Sequence, residues 1–320
     1  MGRVGAILRG GGAGLALVAL SGCMMPAPPP AAGPPVGPAA AVAPPTVSQA
    51  SRAVAAHFAR QEASLRARGF MRTDGGGADA PFNATTLAAN FERIALFDEY
   101  ADVGGRLVPG PVPSALRRWE APVRMRLEFG DSVPQSVRAR DTRDVAAYAT
   151  RLGRLTRHPV SMLAPQAARD VANFHILVLN EDERRASAAT LRALVPGIDE
   201  GSVRLVTDLP LGVSCLVLAF ARGDSHVYSG ALAVIRAELP DLTRLSCYHE
   251  ELAQGLGLPN DSPQARPSIF NDTQEFALLT RHDELLLRML YDQRLRPGMR
   301  APEARPIIRR LASELMGGET

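Results

Sequence analysis

Apolar residues recur at helical spacing over residues 51–68, where Val54, Phe58 and Leu65 share one face among charged neighbours. That spacing predicts an amphipathic helix. Residues 83–100 repeat the pattern with Leu87, Phe91 and Ile94 and predict a second helix. The Gly-rich stretch 73–80 between them has neither the lysine nor the strand-to-helix switch of a phosphate cradle, so it reads as a loop. Residues 108–113 are a Pro-rich break. Beyond it the period drops to two: Val123, Met125, Leu127 and Phe129 alternate with Arg124, Arg126 and Glu128, as in a half-buried strand. Residues 141–158 carry the stripe Val145, Tyr148, Leu152 and Leu155 and predict a helix, and 174–179 form an apolar run suited to a buried strand. Residues 182–194 read as helix and 203–206 as a short strand. Two apolar runs, 215–221 and 227–237, flank a turn at Gly223-Asp224 and predict a hairpin. Residues 242–255 and 280–292 read as the closing helices, the last opened by a Thr280/Asp283 capping pair. The order predicts a mixed α/β domain with helices packed on a twisted sheet, without internal repeats.

The first residues follow a different logic. Arg3 and Arg9 precede a small apolar stretch, 13–20, and Leu20-Ser21-Gly22-Cys23 closes it. A charged start, a short hydrophobic run and a small-residue cleavage site make a signal peptide. The run is too short to remain as a spanning helix. The last four residues resemble the lipobox of bacterial lipoproteins, which implies acylation of Cys23 and membrane lipid as a partner. Met24 stands where an Asp would resemble an inner-membrane retention signal, which points to the outer membrane, facing the periplasm. Residues 26–45 are almost all Pro, Ala and Gly and read as an extended tether. The expected organisation is a signal peptide over 1–22, a lipidated Cys and tether over 23–46, an N-terminal helical extension over 47–113, a main domain over 114–313 and a short tail over 314–320.

Composition narrows the partners. The formal net charge is +3, all 36 basic side chains are arginine, and acidic residues are interleaved with them throughout. No basic block with aromatics marks a nucleic-acid surface. Of the three cysteines, Cys23 is assigned to lipid, which leaves Cys215 and Cys247 as disulfide partners in an oxidising compartment.

The stretch with chemical content is 247–261, Cys-Tyr-His-Glu-Glu-Leu-Ala-Gln-Gly-Leu-Gly-Leu-Pro-Asn-Asp. His249-Glu250 suggests a zinc-protease helix, but the second histidine, four residues on, is Ala253. One residue later in register, Glu250 takes the first ligand position, Glu251 the general-base position and Gln254 the second ligand position. Gly257 falls on the glycine that turns the chain, and Asn260 on the third ligand position. This Glu-Glu-x-x-Gln-x-x-Gly-x-x-Asn resembles the metzincin zinc motif with its histidines replaced. Ser268-Ile269-Phe270-Asn271 resembles the Met-turn, with Phe270 for methionine. The following helix resembles the last helix of a zincin domain, and zincins place a sheet with an antiparallel edge strand ahead of the active-site helix.

Together with His282-Asp283, Arg288 and Tyr291-Asp292, these motifs resemble a bacterial family of exported proteins, domain-of-unknown-function family 2927, over residues 119–311. The resemblance implies an α/β, zincin-like fold. It supplies no reaction. Zinc prefers His, Cys and carboxylate ligands; one carboxylate with two amides makes at most a weak divalent-metal site better suited to hard cations. His249 reads as a helix-surface histidine. His175 and His226 have no nucleophile at diagnostic spacing, and Ser214 lacks a Gly-x-Ser-x-Gly elbow. Three readings follow: a binding protein holding a peptide or envelope polymer in a cleft lined by Glu250, Glu251, Gln254, Asn260 and Asp261; a divergent metal-dependent endopeptidase with Glu251 as base; or a structural envelope lipoprotein.

Overall fold

Strand β4 (Val123–Phe129) has the alternation of a strand that faces the core on one side, and it lies within the main sheet. Strands β5 (Val160–Met162) and β6 (Phe174–Leu179) flank it, both parallel to it. Next to β6, also parallel, runs β8 (Val227–Arg236). β7 (Cys215–Ala221) pairs antiparallel with β8, Leu218 opposite Leu232, on the flank that β6 leaves open. A two-residue strand, β3 (Arg118–Trp119), runs parallel to the start of β8. The result is a mixed sheet with one antiparallel edge strand, packed by helices. This computed structural model describes residues 47–102 and 107–317. Cys23 and the segments expected as signal peptide and tether lie outside the described residues.

Helices cover both faces of the sheet, and the strand pattern says why. Five of the six residues of β6 are buried, as in a parallel strand covered on both sides. Phe174, Ile176 and Val178 face the main core with Val123, Met125, Ala233 and Ile235. Leu177, Leu232 and Val234 face a smaller cluster. The main core is closed by α3 (Gln135–Thr156), α7 (Asp241–Gln254) and α8 (Arg281–Leu290). The smaller one is closed by α5 (Ala188–Leu194) and α6 (Glu200–Thr207). A short α4 (Glu181–Arg185) precedes α5, so the helix expected over 182–194 is broken in two.

Four further expectations are corrected. Residues 203–206 belong to α6, not a strand: Asp199 caps its first turn by accepting from the Ser202 N–H, and Val203 and Val206 then fall on one buried face. The second helix, α2 (Ala84–Ala95), stops short of residue 100, and the chain turns into β1 (Phe97–Asp102). β1 pairs antiparallel with β2 (Leu107–Pro113), the segment expected as a bare Pro-rich break. Prolines lack the amide donor, which confines them to a sheet margin such as this two-stranded ribbon. Finally, the chain does not end its helices at α8. A further helix, α9 (Ala301–Leu315), starts with proline in its first turn and buries Ala304, Ile308, Leu311 and Ala312.

The segment before residue 114 contributes to the same core. α1 (Gln49–Ala67) buries Val54 and Phe58, and α2 (Ala84–Ala95) buries Leu87, Phe91 and Ile94 among the main-core side chains. Ser51 Oγ donates to Glu238 (2.6 Å), and Glu62 accepts from both the N–H and the hydroxyl of Thr243. These bonds fix α1 across the connection from β8 to α7.

Candidate functional site

α7 presents Thr243, Ser246, Cys247, Glu250, Glu251 and Gln254 along one face, since residues three, four, seven and eight apart stack on a helix. That face floors a cleft of about 680 Å³. Edge strand β7 forms one wall through Leu216–Ala219, and the loop after α7 adds Pro259 and Asp261. The turn bearing Ile269 and Asn271 closes the far side. Among the described residues β7 pairs only with β8, so its outer backbone edge borders this cleft unpaired by any strand.

A disulfide holds floor and wall at a fixed distance. Cys215, the first residue of β7, is bonded to Cys247 in the middle of α7, with Cα atoms 6.0 Å apart. The pairing expected from cysteine count is present, and both sulfurs line the cleft.

Below the floor α7 is locked to α3. Arg244 Nε donates to Asp141 (2.6 Å), and the Tyr248 hydroxyl donates to the same carboxylate (2.9 Å). His249 sits on this hidden side and not on the surface. Its ring stacks on Tyr148, with centroids 4.1 Å apart and planes 9° from parallel, and Nδ1 accepts from the Leu279 N–H. Burial, with the charge of Arg151 adding to it, pushes the His249 pKa down to about 3. A neutral, buried, bonded imidazole on the far face cannot serve as a cleft ligand.

The end of α7 is shaped by two glycines. A Cβ on Gly255 would lie 2.5 Å from the Phe174 ring, and Trp119 Nε1 donates to the Gly255 carbonyl. Gly257 has φ +129, and a Cβ there would sit 2.2 Å from the Arg117 carbonyl oxygen. The expected chain-turning glycine is therefore required twice, by conformation and by close approach.

After that turn Asn260 and Asp261 part company. Asn260, expected in the cleft as a third ligand, is buried. It donates to the Arg93 carbonyl and receives no place in the cleft lining. Its backbone N–H bonds to the Ile94 carbonyl, so it serves to tie the loop to the end of α2. Asp261 faces the cleft instead, accepting from the Gln254 side-chain amide at 3.0 Å.

The Ser268–Phe270 turn is built from α8. Asp283 accepts from Ser268 Oγ (2.5 Å), from the Ile269 N–H and from the Thr280 N–H and hydroxyl. The Thr280/Asp283 capping box expected at this helix start is present. Phe270 is fully buried, its N–H donating to Ser268 Oγ, and it is Ile269 that reaches the cleft. Residues with no sequence signal also line the cleft: Tyr228, and Arg117 ion-paired with Asp98.

The donor set does not suit a catalytic zinc. The Cys215 sulfur and carboxylate oxygens of Glu250 and Glu251 lie within 4.8 Å of one another, but a disulfide sulfur is no thiolate ligand. Gln254 offers only a neutral amide oxygen, its amide nitrogen donating to Asp261, and Asn260 is turned away. Glu251 stands in the cleft without the histidines that would hold a metal beside it.

No curated protein and no solved structure matches the chain significantly. The family described as "Protein of unknown function (DUF2927)" matches residues 84–310. The match begins at the first residue of α2 and runs into α9, so it includes the β1–β2 ribbon as well as the sheet and cleft. With more than half of its length matched in this way, the chain belongs to the DUF2927 family.

Proposed function

We propose that this is a lipid-anchored envelope protein whose zincin-like domain binds an extended peptide in the cleft between β7 and α7. The observation that carries the reading is the antiparallel edge strand whose outer edge borders a polar cleft, braced to its floor by Cys215–Cys247. A peptide laid along β7 would satisfy its main-chain groups as an added strand. Specificity would come from side chains on alternate positions. Glu250, Glu251, Gln254 and Asp261 would supply polar contacts from the floor. The sheet order, with the antiparallel strand ahead of the cleft helix, supports the zincin-like reading. So does the glycine turn after α7. The donor chemistry disfavours the peptidase, because water activation in such sites requires a metal held by good ligands.

The anchor is Cys23, with the Pro-rich tether holding the domain off an outer-membrane surface in the periplasm. No helix of the described residues is long and apolar enough to cross a membrane.

Selection of random peptides against the full chain tests the cleft. The expected result is a set of peptides whose affinity falls at least about tenfold when Glu250 and Glu251 are both changed to Gln, the loss of two charge-assisted contacts. Peptides that bind the double variant equally well would exclude this cleft. Cleavage of those peptides that stops in Glu251→Gln and in chelator would favour the peptidase instead.

A further inference from the structure

A second groove of about 830 Å³, sharing no lining residue with the cleft, opens where α3 and α8 end and β3 begins. Five arginines line it, Arg118, Arg154, Arg157, Arg288 and Arg294, against two carboxylates, Glu120 and Asp292. Asp292 is already held by Arg294, which also pairs with Glu314. The guanidinium groups of Arg154, Arg157 and Arg288 make no ion pair or hydrogen bond among the described residues. The groove is therefore electropositive with three uncommitted guanidinium groups at its rim.

Arg118 is half-buried at the inner end. Its Nη1 donates only to carbonyls, those of Leu290 (2.5 Å) and Asp292 (3.0 Å), and burial lowers its pKa. The Tyr291 ring under the guanidinium and the charges of Glu120 and Asp292 offset part of that desolvation, and an anion entering the groove would offset more. Helix dipoles explain part of the pattern, since Arg154 and Arg288 stand in the last turns of α3 and α8. Arg157, the C-cap residue of α3, shares that helix end but adopts φ 54, a conformation that favours glycine, which the dipole does not account for.

We propose that this groove is a binding site for a phosphorylated ligand. Several guanidinium forks need more acceptor oxygens than one carboxylate carries, and a phosphate supplies them in matching geometry. The volume suits a small molecule larger than a bare ion. One side is formed by the rings of Tyr291 and His158, with centroids 5.1 Å apart. The Tyr291 hydroxyl is spent on the Leu256 carbonyl and its ring lies 5.6 Å from the Arg118 guanidinium, so the His158 ring beside it gives the groove a side suited to an organic moiety. A phosphosugar and a phospholipid headgroup share this chemistry. The site is independent of the peptide cleft.

Calorimetry on the full chain at constant ionic strength tests it, with inorganic pyrophosphate, glucose 6-phosphate and dihexanoyl-phosphatidylglycerol below its micelle concentration as probes. Saturable binding of pyrophosphate, and its displacement by one organic probe, is the expected result; the displacing probe identifies the source. Changing Arg154, Arg157 and Arg288 together to Ala should weaken binding at least about tenfold. The same change at the exposed Arg60, Arg204 and Arg310 should not. Arg157→Gly suits the backbone at that position, so it should weaken binding without loss of thermal stability. Absence of saturable binding would overturn the proposal. Equal weakening by both triple variants would reduce the effect to bulk charge, and pyrophosphate binding that neither organic probe displaces would leave a bare-ion site; either also overturns it.

Discussion

Single residues around α7 do two kinds of work, and substitution separates them. Gly257 packs its α-carbon against the Arg117 carbonyl at φ +129. Gly257→Ala should therefore cost about 3 kcal/mol, combining backbone strain with a contact that cannot relax into side-chain space. Chemical denaturation measures it, and a loss under about 1 kcal/mol would show that the turn adapts. His249 makes stability depend on pH. In the unfolded chain it takes up a proton near pH 6.5, but in the fold not until about pH 3. Its contribution is complete above 6.5 and is lost as pH falls toward 3, at up to about 1.4 kcal/mol per pH unit. His249→Phe keeps a ring on Tyr148 while removing the titration, so its denaturation midpoint should fall less steeply between pH 6.5 and 4 than that of the wild type. Parallel slopes would mean that the imidazole is protonated in the fold.

At the scale of elements, the cleft depends on two braces. The disulfide closes a span of 32 residues between β7 and α7, for which removal costs about 3 kcal/mol. The double change Cys215→Ser and Cys247→Ser should lower stability by that order and weaken peptide binding more than it weakens phosphate binding. Asp283 braces the opposite wall, accepting from Ser268, Ile269 and Thr280. Asp283→Ala strands those buried donors and should cost about 3 kcal/mol, with peptide affinity falling as Ile269 loses its place.

Much of this architecture is legible in sequence, because β4 alternates with a period of two, β6 and β7 are apolar runs bounded by polar or turn residues, and α7 follows a helical pattern. The misses have local causes. In α6, Val203 and Val206 are β-branched and suggest a strand, whereas the Asp199 cap and the three-residue spacing favour a helix. The β1–β2 ribbon is hidden by prolines. α9 shows Ala304, Ile308, Leu311 and Ala312 at helical spacing behind an opening proline, so this helix too is legible in the sequence. In the site, the register identifies Glu250, Glu251 and Gln254 but not which of Asn260 and Asp261 faces the cleft. That choice rests on a bond to Arg93, distant in the chain.

For the whole molecule, anchor and domain make separable claims. A chain carrying Cys23→Ala should move from the membrane to the soluble fraction of cells while its domain melts unchanged. Retention in the membrane would remove the lipid from the picture. The domain itself stands or falls on β7. Amide hydrogen exchange on the full chain, with and without a library-selected peptide, reads that strand directly. Peptide bound as an added strand slows exchange at Leu216–Ala219 and leaves the groove at the ends of α3 and α8 unchanged. Saturating peptide with unaltered exchange along β7 would contradict binding at this edge.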